Sequence, residues 1–270
     1  MSVGENREQD RVEGPPSVRR AGLVTRAVAF DFTRRHEETI PSEDFVSAIR
    51  DDDGRYIWLD VDYDDRAEAR AYLEGLGVIA EEALDDALSG EHGTQQARYP
   101  AHLHLVMTGC VMKAGEFELM RVDVVVGERY LLTIHSGRVP FLEQVKREYR
   151  DDFLRFAKSP SFLLYEIWDH LLDGYVAVHK KLEERLELLQ RRLIGEVDER
   201  VFAEVSELGS AFLNFRKILI PARAVLTDLS TRKSIFVSEA TQPFLANMVG
   251  TLERVLQDLM SDRKIDYESL

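Results

Sequence analysis

Four short stretches carry residues that could do chemistry, and metal binding is the chemistry they suggest. In "DVDYDD" (60–65), Asp60, Asp62 and Asp64 stand two apart, like the first three ligands of a calcium-binding EF-hand loop. Such a loop then requires Gly at its sixth position and Glu at its twelfth, where this chain has Asp65 and Ala71. The acids read better as a strand end entering a helix N-terminus, where Asp caps free N–H groups. "HLH" sets His102 and His104 on one face of a strand. Two neutral imidazoles hold zinc if a third ligand converges. The sequence identifies none, so a surface or half-buried pair without metal is expected.

"EEALDDAL" (81–88) is the more informative acidic stretch. Ala83, Leu84, Ala87 and Leu88 form the apolar face of a short helix. Asp85 and Asp86 are adjacent, so they point about 100° apart on a helix and cannot both face the core. One of them is free to face a neighbouring element as a metal ligand. Asp169, in "EIWDHLLD", lies within an apolar helical run, and Asp173 follows one turn later. An acid there needs a partner if buried; pattern alone reads it as solvated. No Gly-rich phosphate loop occurs, since "GLG" (75–77) lacks both phosphate-loop spacings. The Ser, Cys and His residues form no nucleophile motif. The expectation is a protein that is not an enzyme.

Bulk properties narrow the classes further. The 270 residues carry 49 acids against 35 bases, a formal charge of −14. Nucleic acid is excluded as a general partner, because phosphate binding needs a basic face. The single cysteine, Cys110, rules out an internal disulfide and any CxxC metal or redox motif. It lies in an apolar strand-like run and reads as a buried, inert thiol in a reducing, cytosolic setting. Met1 to Arg20 is polar and charged, with no signal-peptide core, and reads as a disordered leader. No window offers 18 apolar residues without charge, so no span is expected within the chain.

The elements that must position these residues change period midway. Strands are expected in "GLVTRAVAFDF" (22–32) and "RYIWLDVD" (55–62), then in "AHLHLVMTGCVMK", "EFELMRVDVVVGE" and "RYLLTIHS". The last three are joined by short turns, as in an antiparallel meander. Helices are expected at 42–50, 64–75, 79–90 and from Ser136–Pro140 onward. The class is α+β, an αβα sandwich with a mostly antiparallel sheet, followed by long helices. From Ser161 on the pattern is wholly helical, with a break at Gly195. Apolar residues step 4-3-4-3 from Val201 to Leu229 and again from Leu245 to Leu259. These are narrow seams suited to association within or between chains. Pro221 inside the second helix predicts a kink. In the last helix the next seam positions are Arg263 and Asp266, so the seam turns polar before the chain ends without a stop signal.

Taken in order, "IWLDV", "GVIAEEALDDAL", "RYLLTIHSGRVPFLEQVKRE", "SPSFLLYEIWDHLLDGYVAVHKKLEERLELL", "LNFRKILIPARAVLTDLSTR" and "TQPFLANMVGTLERVLQDL" resemble the cytosolic part of the CorA-type magnesium transporters. The resemblance implies a leader (1–21), a sandwich (22–158), a helical hairpin (159–235) and the start of a stalk helix (236–270). It implies five subunits around a pore, cytosolic placement beneath the membrane, and two spans beyond Leu270, with a Gly-Met-Asn pore signature that this chain does not contain. It also implies regulation: cytosolic Mg2+, or Co2+ or Ni2+, bridges acids of neighbouring subunits and holds the pore closed. Asp86 matches the sandwich acid, with Asp85 beside it, and Asp169 matches an acid on the first hairpin helix. The neighbour's stalk acid falls at Asn247, which brings a carbonyl oxygen but no charge. Two alternatives follow: a ZntB-like Zn2+ transporter without bridging-type gating, favoured by Asn247 and the His102/His104 pair, and a soluble coiled-coil scaffold.

Overall fold

The strand runs are rich in β-branched and aromatic residues, and their alternation gives the sheet two apolar faces. A computed structural model describes residues 18–20, 22–51, 53–113, 115–193 and 199–268. One sheet holds β1 (Val18–Arg20), β2 (Leu23–Asp31), β3 (His36–Ile40), β4 (Tyr56–Tyr63), β5 (Gln95–Arg98), β6 (His102–Lys113), β7 (Glu116–Gly127) and β8 (Tyr130–His135). The order is β1-β2-β4-β8-β7-β6-β5, with β3 also paired to β2. Only β4 and β8 run parallel among these pairs; β6, β7 and β8 form the expected meander. Strands β1, β3 and β5 were not anticipated. The first lies inside the stretch read as a leader, whose residues Met1 to Ser17 are outside the described ones.

Successive residues of β4 show how the two faces divide. Ile57, Leu59 and Val61 join a core with α1 (Phe45–Arg50), α2 (Arg66–Leu76) and α3 (Glu81–Ala87). Tyr56 and Trp58 join a second core with α4 (Pro140–Arg155) and α5 (Phe162–Leu193). The αβα sandwich is therefore the two helical layers on either side of this sheet. The N-terminus of α2 confirms the capping role read in "DVDYDD": the Asp65 carboxylate accepts from the Ala67 and Glu68 N–H groups at 2.7 and 3.2 Å. Gly77 of "GLG" closes the same helix in the left-handed region, at φ 64°.

Asp60 is not a cation ligand but the centre of a buried network between sheet and α4. Thr133 Oγ1 donates to its Oδ1 at 2.6 Å, and Lys146 Nζ lies 2.7 Å from its Oδ2. Trp58 Nε1 in turn donates to Thr133 Oγ1. Burial alone would raise the pKa of Asp60, but the charges of His135 and Lys146 outweigh it and hold the carboxylate ionised.

The helical half continues with α6 (Glu199–Thr231) and α7 (Gln242–Glu268). Helices α5, α6 and α7 pack on one another, and the seams are filled within the chain. Leu182, Leu208, Phe215, Leu219, Leu226, Leu245 and Leu252 are all at most 1% exposed. Pro221 lies inside α6 as expected; with no N–H, it leaves the Lys217 carbonyl without its intrahelical donor. The break foreseen at Gly195 falls outside the described residues, as do the side chains of Arg263 and Asp266.

Candidate metal centre

The short helix α3 opens with Glu81 and Glu82, acids that favour a helix N-terminus, and anchors itself through Ala83, Leu84 and Ala87. That anchoring divides the adjacent acids as their angular offset requires. Asp85 points outward, where its Oδ1 pairs with Arg70 Nη2 of α2 at 2.7 Å. Asp86 points toward the sheet and meets side chains from three strands. Gln95 Nε2 of β5 donates to its Oδ2 at 3.0 Å, and Arg121 Nη2 of β7 lies 3.3 Å from its Oδ1. His104 Nδ1 of β6 stands 3.7 Å from Oδ2.

The strand register explains the convergence. In the antiparallel ladder Ala97 and Val125 flank His104, and Asp123 lies opposite Val106. His104, Arg121, Asp123 and Gln95 therefore share the face that α3 covers. Asp123 Oδ1 bonds His104 Nε2 at 2.8 Å, and Arg121 Nε donates to Asp123 Oδ2 at 2.6 Å. One ligand atom each from Asp86, His104 and Asp123 fall within 4.8 Å of one another, which is metal-site spacing. The Arg121 guanidinium already stands among them, bonded to both oxygens of Asp123. A cation lying between all three would have to displace it. A hydrated divalent cation fits better at the outer edge of Asp86, whose side chain is 32% exposed while those of His104 and Asp123 are 2% exposed.

The histidine expectation is corrected on one point. His102 and His104 share a face, but both are buried rather than at the surface, at 2% and 1% exposure. His102 stacks on Tyr99, and burial, followed by the nearby charge of His104, pushes its pKa down. Its ring nitrogens have no hydrogen-bond partner among the described residues. Cys110 is buried as expected, and its thiol pKa is pushed up to about 12 by burial.

Asp169 lies elsewhere, on α5, in a cleft of about 540 Å³ between α4, α5 and the start of α7. It is not simply solvated, as the pattern alone suggested. Burial, then the charge of Asp173, raises its pKa, and Tyr165 lines the same cleft. Glu166 in the same cleft is pushed up to about 8 by burial and by Asp152, Asp169 and Glu148. Asn247 is exposed on α7; its backbone carbonyl accepts from Thr251 Oγ1. The fold thus brings none of Asp85, Asp169 and Asn247 into bonding contact with Asp86 within one chain. Arg121, Asp123 and Gln95 were missed. The available signal was "MRVDVVV", where opposite charges stand two apart in an apolar strand and so share a face.

The sequence model described as "CorA-like Mg2+ transporter protein" matches residues 53–265. The chain belongs to this family. Within it, a cobalt/magnesium transport protein CorA from Methanocaldococcus jannaschii is 24% identical over 227 residues, covering 80% of this chain and 71% of the relative. The soluble domain of a CorA from the same organism shares the fold at a TM-score of 0.73 and 17% identity, covering 91% of this chain and 94% of that one. The cytoplasmic domain of ZntB from Vibrio parahaemolyticus is similar at a TM-score of 0.61 and 13% identity, covering 90% and 97%. Among the described residues of this CorA-like chain, no helix is long and apolar enough to cross a membrane.

Proposed function

We propose that this chain is the cytosolic regulatory part of a CorA-like divalent-cation channel, not an enzyme, and that it responds to Mg2+ bound between copies of a homopentamer. The observation that carries the reading is the position of Asp86. It is the member of its cluster whose carboxylate reaches solvent, and it sits on a short helix clamped to the sheet. Asp85 adds negative charge beside it, Asn247 of a neighbouring copy offers an uncharged oxygen, and Asp169 belongs to a second acidic group on the hairpin. Mg2+ suits such a place because it keeps most of its waters and needs only one or two carboxylates. Co2+ or Ni2+ could occupy it as well. Replacing the second carboxylate by Asn247 weakens the site, so millimolar rather than micromolar response is expected. In this reading α7 leads toward membrane spans, and the domain lies on the cytoplasmic side.

Cation binding stabilises whichever arrangement it prefers, by mass action. The route from Asp86 to the helices is short. Gln95 bonds Asp86, and the next residue, Gln96, donates to Asp228 of α6 at 2.7 Å. At the end of α6, Gln242 of α7 donates to the Arg232 carbonyl at 2.9 Å. The test is thermal denaturation with and without millimolar Mg2+. A rise in midpoint that disappears in Asp86→Asn supports the reading; an equal rise in both proteins overturns it.

A Zn2+ transporter of the ZntB kind is the second reading, favoured by the missing charge at Asn247 and by the imidazole of His104 beside Asp86. A larger thermal response to Zn2+ than to Mg2+, lost in His104→Gln, would select it. The coiled-coil scaffold is disfavoured, because the seams of α5, α6 and α7 are already filled within the chain.

A further inference from the structure

Arg121 is an unusual neighbour for a residue that is to bind cations. Its side chain is 8% exposed, and its donors reach in several directions at once. Nε and Nη2 form a fork on the Asp123 carboxylate at 2.6 and 2.8 Å. Nη2 also donates to the Asp86 backbone carbonyl at 2.7 Å and lies 3.3 Å from Asp86 Oδ1. Nη1 donates to Ser89 Oγ at 3.2 Å and to the Glu91 carbonyl, which ties the loop after α3 to the same group. Gln95 Nε2 takes the other oxygen of Asp86. Both carboxylate oxygens of Asp86 are therefore engaged by donors of its own chain, and one of those donors carries a permanent positive charge.

We infer that Arg121, assisted by Gln95, is a built-in competitor that sets the divalent-cation affinity of Asp86. The inference rests on the reading of Asp86 as a cation ligand and names what controls it. A divalent ion binding directly to Asp86 must give up a charge-assisted contact and a neutral hydrogen bond, and it must also meet the repulsion of a guanidinium about one ligand length away. A fully hydrated ion at the outer edge meets less of that repulsion. The arrangement selects for low affinity: the ion that wins is one present in large excess. It also explains how Asp123 and Asp86 remain compatible at such short range, since the guanidinium sits between them as the resident cation.

Removing Arg121 alone would leave the buried Asp123 with only the His104 imidazole beside it, so the test exchanges both. Arg121→Gln combined with Asp123→Asn removes one charge of each sign and leaves the net charge at −14. Binding of Mn2+, an oxygen-preferring stand-in for Mg2+, is measured on the full chain by the paramagnetic resonance of the free ion. In the double variant the affinity should rise on the order of tenfold, the equivalent of one ionic contact no longer surrendered. The gain should vanish when Asp86→Asn is added. Equal, Asp86-dependent binding in wild type and double variant overturns the competitor role and leaves the Asp86 reading standing. No Asp86-dependent binding in either protein overturns both. Should the double variant not fold, Gln95→Ala decides on its own, because Gln95 lies on the exposed edge strand and its side chain is bonded to Asp86. It should bind about twofold tighter, the small gain from losing one neutral hydrogen bond, and unchanged or weaker binding overturns the inference.

Discussion

Two groups of acids stand on opposite faces of the sheet and solve the same electrostatic problem differently. Around α3, Asp86 and Asp123 are held apart by Arg121, and His104 fills the remaining side. In the cleft between α4 and α5, Asp152, Glu166 and Asp169 face one another with no ion pair of their own among the described residues. The first group carries a countercharge of its own, the guanidinium of Arg121 shared between two carboxylates. The second avoids part of its charge at Glu166, whose pKa is pushed up to about 8, and the pKa values of Asp169 and Asp152 are raised in the same direction. The lesson is that acid density alone does not locate a cation. What matters is whether the protein already supplies the countercharge.

The largest effect should come from breaking the group that holds Arg121. Arg121→Ala leaves Asp123, which is 1% exposed, without its guanidinium and with only the His104 imidazole as partner, and should cost about 3–5 kcal/mol of stability in urea denaturation. A loss below about 1 kcal/mol would mean that Asp123 finds another partner or water, and the contrast between the two groups would collapse. The protonated group should show itself in pH dependence. Folded Glu166 holds its proton up to about 8, whereas an unfolded glutamate releases it near 4.5. Between those values the folded state binds more protons, so stability falls as pH rises through the window. Glu166→Gln should flatten that fall and stabilise the protein by about 1 kcal/mol at pH 8, after allowance for solvent screening.

Cations sharpen the comparison at smaller amplitude. If the cleft around Asp169 also draws Mg2+, the ion must displace the proton of Glu166, and its thermal stabilisation should be larger at pH 8 than at pH 6, by about 2 °C. Asp169→Asn should reduce that difference; an identical shift at both pH values would leave the cleft out of the response. The smallest change is expected on the outer side of α3. Asp85→Asn removes an exposed pair with Arg70 and should leave the urea midpoint unchanged, since such pairs contribute little.

Much of the fold was legible because its signals are local. The 4-3-4-3 seams of α6 and α7 are periodic and most of their residues are buried, while β4, β6 and β8 are strand-length runs buried on both faces. Strands β3 and β5 read "HEETI" and "QQAR"; both are polar edge strands with no apolar face to betray them. The parallel pairing of β4 with β8 joins residues more than 70 positions apart, and no local pattern encodes it. The site was half legible. Asp85 and Asp86 were separable by helix geometry, but the roles of Arg121 and Asp123 depend on which strands lie side by side. For Asp169 the apolar helix around it was the true signal, and the solvated reading gave it too little weight.

Strand β5 has a consequence of its own. Its four residues pair with β6 on one side only, and alternation sends Gln95 to Asp86 while Gln96 and Arg98 reach Asp228 on the other face. A short edge strand is the part of a sheet that peels away at least cost. One local opening of Gln95–Arg98 would release the acid on α3 and the acid on α6 in the same event. The amide exchange rates of these four residues therefore report a single equilibrium shared by both halves of the molecule.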